Sequence, residues 1–108
     1  MFYHIVMMRF NGKAGPEFHA RVEALAGRVR RECSGVIHYD YGVNIAARGK
    51  GYEHVVLSIF ESSAEHDLYQ VSPVHQEMKA FMTPYFEDLV VCDTDLPSPA
   101  QIPAGVHK

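Results

Sequence analysis

The chain has 108 residues, of which 47% are hydrophobic and 21% are charged, and its formal net charge at pH 7 is −3. This length fits one domain, and the composition is too apolar for a disordered chain. The weak negative charge gives no reason to expect nucleic acid as a partner. No stretch approaches the roughly 20 apolar residues that a membrane helix needs, so we expect no membrane partner either.

The two cysteines, Cys33 and Cys92, have no metal-ligand spacing around them. The residues from Met1 to Phe10 include His4 and Arg9 and lack the pattern of a secretory signal. We therefore predict a cytoplasmic, reducing location in which both thiols are free.

The first half of the chain indicates a strand, a helix and a second strand. Phe2 to Phe10 is rich in aromatic and β-branched residues and stops at a loop with glycine and proline. Pro16 suits the start of a helix, which Ser34 and Gly35 should end, with Gly35 as its C-cap. The alternation from Val36 to Ala46 predicts the second strand.

The third strand is predicted from Tyr52 to Phe60, in a hairpin with the second. Ser62 has capping-box spacing with the glutamate three residues later, which predicts a short helix. Ser72 and Pro73 suit the N-cap and first position of another helical segment, which is expected to run towards Tyr85 and Phe86.

A fourth strand from Leu89 to Asp93 completes the order β-α-β-β-α-β. This order is that of an α+β, ferredoxin-like unit, in which both helices cover one face of an antiparallel sheet. We assign residues 1–95 to this domain and residues 96–108 to a proline-rich tail. The first strand is apolar on both faces, whereas an antiparallel sheet with one solvated face alternates. A second copy of the sheet is the simplest cover, which predicts a homodimer that forms an α/β barrel.

Histidines on both central strands and on the last helix are the main candidates for a functional site. His4 and His54 should face the helices, and His75 should lie in the first turn of its helix, on the apolar side. A pocket bordered by these side chains would suit a small apolar ligand. The predicted site has catalytic residues His75 and Tyr69 and substrate-binding residues His4, Val6, Met8, His54, Val56, Met78 and Phe86.

The residue types at this site fit proton transfer next to a carbonyl group. The positive end of a helix disfavours a charged imidazole, so His75 is expected to be a neutral general base. Tyr69 would donate a hydrogen bond to the enolate oxygen that forms. His4 or His54 would orient the substrate or relay the proton.

The same residues also fit roles other than catalysis. A single buried histidine is often only part of a core, and Tyr69 taken alone fits a core or interface position. His4, His54 and His75 could together bind a metal, but they show no close ligand pair, so we predict neither a metal nor another cofactor.

Several short motifs in the second half of the chain resemble one known family. They are Tyr52-x-His54, Phe60-Glu61-Ser62, Tyr69, Pro73-x-His75, Tyr85-Phe86 and Val91-Cys92-Asp93. On these residues, over roughly residues 1–95, the chain resembles stress-responsive dimeric α/β-barrel (Dabb) domains, which are dimers of ferredoxin-like units.

The second half is similar to a plant member of this family, olivetolic acid cyclase. That resemblance implies a cofactor-free aldol cyclisation, with the family's catalytic His and Tyr at His75 and Tyr69 and its strand histidines at His4 and His54. Where the plant enzyme has an aromatic cluster on the first helix, this chain has smaller aliphatic residues, which predicts a pocket of different shape.

We therefore expect a stress-responsive dimeric α/β-barrel protein that is a cofactor-independent lyase or cyclase acting on a small apolar carbonyl compound. The alternative is a non-catalytic, stress-related dimer that binds a small ligand in the same cavity. Cofactor-free monooxygenation is a third, less favoured hypothesis, because the chain contains no tryptophan.

Overall fold

The computed structural model describes residues 1–98, and its elements follow the order predicted above. The second helical region consists of two helices and a short 3-10 turn. The elements are β1 (Phe2–Phe10), α1 (Pro16–Glu32), β2 (Val36–Val43), β3 (His54–Phe60), α2 (Ser63–Gln70), α3 (Pro73–Met82), the turn Thr83–Tyr85 and β4 (Phe86–Asp95).

The four strands form one antiparallel sheet in the order β2-β3-β1-β4. This topology and the helices between the strands confirm the predicted ferredoxin-like α+β fold. In the central strand β1, His4 lies opposite Ser58 of β3 and opposite Asp93 of β4. Because directly opposite residues point to the same face, this register decides which side chains meet under the helices.

Several element ends differ from the prediction in the first half of the chain. The helix α1 ends at Glu32 with Cys33 as its C-cap, and Gly35 lies beyond the cap at φ 73°. The strand β2 ends at Val43 and not at Ala46. It stops there because the side chain of Asn44 accepts a hydrogen bond from the Ala46 N–H and donates one to the Tyr52 carbonyl. These contacts form the connection before β3, which begins at His54.

The last strand is longer than predicted at both ends. Pro84 cannot continue a helix, so α3 ends at Met82 and Phe86 already belongs to β4, three residues before the predicted start at Leu89. The strand then continues to Asp95. Most of the predicted tail, from residue 99 onward, lies outside the described residues.

The core lies between the helices and one face of the sheet. Val22, Val29 and Phe60 are fully buried there, and Met8 is 1% exposed. Helix α1 supplies Val22 and Val29 at a spacing of seven residues, which keeps both on its buried side. The helix-facing residues of β1 are thereby packed into the core.

The opposite face of the sheet is also apolar, as the pattern of the first strand predicted. It carries the odd-numbered residues Ile5 and Met7 of β1, with Leu57 of β3 and Val90 of β4 in register beside them. Leu57 remains 40% exposed and Val90 43% exposed, since the helices pack on the other face. The described part of the chain therefore leaves one apolar sheet face without cover.

Ser72 connects the end of α2 to the beginning of α3. Its hydroxyl donates to the Tyr69 carbonyl at 2.7 Å and accepts from the backbone N–H of His75 at 3.3 Å. A serine at this position satisfies one of the N–H groups that the first turn of a helix leaves unpaired.

Replacing Ser72 with alanine should lower the free energy of unfolding by about 1 kcal/mol, because the N-cap acceptor is lost. Urea unfolding of Ser72→Ala beside wild type measures this difference. Ser63→Ala, at the exposed first residue of α2, is the matched control and should change stability by less than about 0.5 kcal/mol. Equal effects of the two substitutions would contradict a specific capping role.

Candidate functional site

A cavity of about 270 Å³ lies between α3 and the β1 and β4 side of the sheet. It is lined mainly by apolar side chains. The residues of the predicted site that line it are His4, Val6, Met8, Val56, Tyr69, His75, Met78 and Phe86. The structure thus brings together side chains from two central strands, both later helices and the start of β4.

His54 is the predicted site residue that the structure places elsewhere. It faces the helices, as expected, but lies opposite Met8, four residues along β1 from His4. There its ring stacks on those of His19 and Tyr41, with centroid distances of 4.3 and 5.0 Å. The prediction that His54 reaches the cavity is wrong, because alternation along the sequence gives the face of a strand but not its register.

His75 borders the cavity with one ring nitrogen already paired. Its Nδ1 lies 3.0 Å from the carbonyl oxygen of Gln70. Since a carbonyl oxygen only accepts, Nδ1 carries the hydrogen and Nε2 of the neutral ring keeps its lone pair. Burial lowers the pKa of His75; the bond to Gln70 opposes this shift, and the positive charge of Lys79 adds to it. His75 is therefore a neutral imidazole with a basic Nε2 near pH 7.

Tyr69 is 3% exposed and packs against His75, with 4.4 Å between the ring centroids. Its hydroxyl lies 2.7 Å from the hydroxyl of Tyr39, which is also 3.4 Å from the sulfur of Met78. Burial is the main cause that raises the pKa of both tyrosines, to about 12 for Tyr39. Both hydroxyls are thus protonated near neutral pH and able to donate.

The pairing of the two tyrosines uses one of their two hydrogens. When Tyr39 donates to Tyr69, the hydrogen of Tyr69 is available to an oxygen in the cavity; when Tyr39 donates to the sulfur of Met78, Tyr69 donates to Tyr39 instead. Tyr39 lines the cavity as well. It was not among the predicted site residues, since its alternating strand indicated only that it lies on one face of the sheet.

His4 is 6% exposed, and its Nδ1 lies 2.5 Å from a carboxylate oxygen of Asp93. The two residues face each other across the β1–β4 pair. A carboxylate bonded to one ring nitrogen fixes the orientation of an imidazole. Asp93 was predicted only as the end of a strand, because the pairing partner of His4 cannot be read from spacing.

The rest of the cavity lining is mainly apolar. Val6, Met8 and Val56 come from the sheet, and Met78 comes from α3. Such a lining, with a few fixed polar groups, is typical of a site for a small and largely apolar molecule. Lys79 and Gln70 also line the cavity and add a cation and an amide that were not among the predicted site residues.

Within residues 1–98, no helix has both the length and the apolar character needed to cross a membrane.

Solved structures with the same fold come from plants and bacteria. A hydroxynitrile lyase from Passiflora edulis is 21% identical, with a TM-score of 0.79, and the match covers 89% of this chain and 93% of that one. A dimeric ferredoxin-like protein of unknown function from Thermobifida fusca is 20% identical, with a TM-score of 0.77, and the match covers 88% and 90% of the two chains. These identities support a shared fold.

A Dabb family protein with a ferredoxin-like fold from Mesorhizobium loti is 17% identical, with a TM-score of 0.74, over 90% of this chain and 97% of that one. No curated protein matches the chain. The family model for the stress responsive A/B barrel domain, Dabb, matches residues 2–96. The sheet, the helices and this match over most of the sequence show that the chain belongs to the Dabb family.

Proposed function

We propose that this protein is a cofactor-independent lyase or cyclase that carries out acid–base chemistry on a small apolar carbonyl compound. The observation that carries the proposal is the contact between His75 and Tyr69 in one apolar cavity. A neutral imidazole and a protonated phenol side by side are a base and a hydrogen-bond donor, which is what enolate formation requires.

In the proposed reaction, Nε2 of His75 removes a proton from the carbon next to the substrate carbonyl. Tyr69 donates a hydrogen bond to the carbonyl oxygen as negative charge develops there, and Tyr39 donates in turn to Tyr69. In a cyclisation, the enolate carbon then bonds to a second carbonyl carbon, whose oxygen receives the proton from His75. A lyase reaction is the reverse, so a carbon–carbon bond breaks as the product carbon takes up the proton.

His4 is proposed to orient the substrate or to relay the proton. Its Nδ1 is bonded to Asp93, so its ring position is fixed at the edge of the cavity. A lyase of the same fold supports the reaction class, since the Passiflora edulis protein is described as a hydroxynitrile lyase. At 21% identity, the support concerns the class of reaction and not the substrate. Polyketide cyclisation is one reaction of the proposed class.

The proposal predicts that the protein exchanges hydrogens next to a carbonyl group with solvent. Small apolar ketones such as phenylacetone, incubated with the protein in D₂O, should lose these hydrogens from the proton NMR spectrum. His75→Ala should slow the exchange about 10²- to 10⁴-fold, because the general base is removed. Tyr69→Phe should slow it about 10²-fold or more, because the oxyanion donor is removed.

Arg31→Ala, an exposed substitution on α1 away from the cavity, is the control and should exchange at the wild-type rate. Ligand binding with no exchange of any carbonyl compound by the wild type would favour a non-catalytic, ligand-binding dimer instead. Exchange that survives in both site variants would remove His75 and Tyr69 from the mechanism.

The uncovered sheet face is proposed to be the interface of a homodimer. Ile5, Leu57 and Val90 lie on that face, on three neighbouring strands. Burial of such apolar area stabilises association, and a two-fold partner presents the same surface. A homodimer is supported by the Thermobifida fusca protein of the same fold, which is dimeric.

Leu57→Glu should convert the dimer to a monomer, because a carboxylate would be buried in an apolar interface. Light scattering of micromolar wild type should give about 24 kDa, twice the 12.2 kDa of one chain. Leu68→Glu, at a leucine on α2 that is 59% exposed, is the matched control and should stay dimeric. A wild-type mass of one chain would refute the dimer.

A cytoplasmic location stays a prediction that rests on the thiols. Cys33 is half-buried and Cys92 is exposed, and both are free. Free thiols are usual in reducing compartments.

The neutral state of the interior histidines predicts how stability depends on pH. Burial lowers the pKa of His54, His66 and His75 below the usual 6.5. When the pH falls from about 7.5 to about 5.5, the unfolded chain binds protons that the folded chain does not, so the free energy of unfolding decreases. We expect a loss on the order of 1 kcal/mol per histidine at most, since partial solvent access screens each charge.

The change in the free energy of unfolding with pH is measured by urea unfolding, repeated across this pH range. The protein concentration is held fixed and a chelator is present. His66→Leu should give a shallower slope, because one of the three groups no longer titrates. The carboxyl groups with lowered pKa, Glu32, Glu77 and Asp88, have ordinary pKa values of 4.5 or less and titrate below this window. Stability that is constant or higher at the acidic end would contradict the neutral interior histidines.

A further inference from the structure

His66 of α2 is a buried histidine with an unpaired ring nitrogen. The residue is 4% exposed, and its Nε2 has no hydrogen-bond partner among the described residues. The rings of Phe2 and Phe60 pack on it, at centroid distances of 4.7 and 5.2 Å. Buried polar atoms are nearly always paired, so an unpaired imidazole nitrogen in an aromatic environment needs an explanation.

Two other donor groups lie beside this ring. The centroid of the His4 ring lies 4.4 Å from that of the His66 ring. A carboxylate oxygen of Asp93 is hydrogen-bonded to Nδ1 of His4. One potential ligand atom from each of the three residues lies within 4.8 Å of the other two. The three residues come from α2, β1 and β4, so the fold itself assembles them from distant parts of the chain.

We propose that His4, His66 and Asp93 bind one divalent metal ion of the zinc type. Two imidazoles and one carboxylate are borderline ligands that suit Zn²⁺ and similar transition metals. Donors at about 2.0–2.2 Å from a tetrahedral ion stand about 3.5 Å apart, so the three ligand atoms, which lie within 4.8 Å of one another, have to close by little more than about 1 Å to bind one ion. The ion would take the position between the three donors and give the Nε2 of His66 its missing partner.

The site would be open and not closed. Three protein ligands leave a position for water or for another small ligand, as in catalytic metal sites. The side chain of Asp93 is 39% exposed, so an ion can reach the site from solvent. His4 also lines the cavity, so the ion would lie next to any molecule that binds there. Metal binding does not depend on the reaction proposed for His75 and Tyr69.

A second histidine–carboxylate pair in the same chain provides the control. Nε2 of His38 lies 2.7 Å from a carboxylate oxygen of Asp40, but both side chains are exposed. No third ligand joins that pair in the described residues. If a histidine–carboxylate pair alone bound the ion, both places would bind it equally.

The test is isothermal titration calorimetry of tag-free, chelator-treated protein with Zn²⁺ alone. Wild type and His38→Ala should each bind one ion per chain with micromolar affinity or better. His66→Ala should weaken binding at least about 100-fold, because loss of a group that only supports a ligand already costs about 10- to 100-fold. Co²⁺ in place of Zn²⁺ should give visible absorption bands that disappear in the same variant.

Asp93→Asn, at an exposed position of the edge strand, gives a second measurement if His66→Ala does not fold. It should also lose the stoichiometric ion. The proposal is overturned if wild type binds no stoichiometric Zn²⁺, if both His66→Ala and Asp93→Asn bind as wild type does, or if His38→Ala alone abolishes binding. Hydrogen exchange of ketones is a separate experiment. If the protein catalyses no exchange, the proposed function fails, but the result of the zinc titration still stands.

Discussion

The relative position of the two proposed catalytic side chains depends on the junction between α2 and α3. Tyr69 lies near the end of one helix and His75 in the first turn of the next, so each belongs to a different rigid element. Ser72 joins them, since its hydroxyl donates to the carbonyl of Tyr69 and accepts from the N–H of His75. The carbonyl of Gln70 from the same junction holds Nδ1 of His75. The hydrogen bonds of this junction therefore support both the contact between the two rings and the tautomer of His75.

The sheet supplies the second constraint, because each strand has one face towards the helices and one away from them. On β1, the even-numbered side chains line the core and the cavity, and the odd-numbered ones form the open apolar face. A single strand would thus serve the proposed ligand binding on one side and the proposed association on the other. Pairing of two sheets through the open faces would leave the helix-covered cavities on the outside of the barrel.

The sequence was sufficient for the fold and for most of the cavity lining, because both depend on local patterns. Alternation placed His4 and Met8 on one face, and the cap at Ser72 placed the following histidine in the first helical turn. The prediction that His54 reaches the cavity is wrong, since alternation gives the face of this residue but not its register. Tyr39 and Asp93 were missed for the same reason, since strand pairing between distant segments sets their neighbours. The predicted last helix extends too far, because Pro84 cannot continue it.

Within residues 1–98, two interior histidines have an unpaired ring nitrogen, and their surroundings differ in a way that separates packing from binding. Nδ1 of His54 is buried in a stack with His19 and Tyr41, where flat rings lie nearly parallel. Stacking stabilises such a ring without a ligand, and no carboxylate joins these side chains in a metal-ligand group within residues 1–98. A potential ligand atom of His66 instead lies within 4.8 Å of those of a second imidazole, His4, and a carboxylate, Asp93. The unpaired nitrogen therefore has a chemical use only where the fold also supplies charge and a second donor.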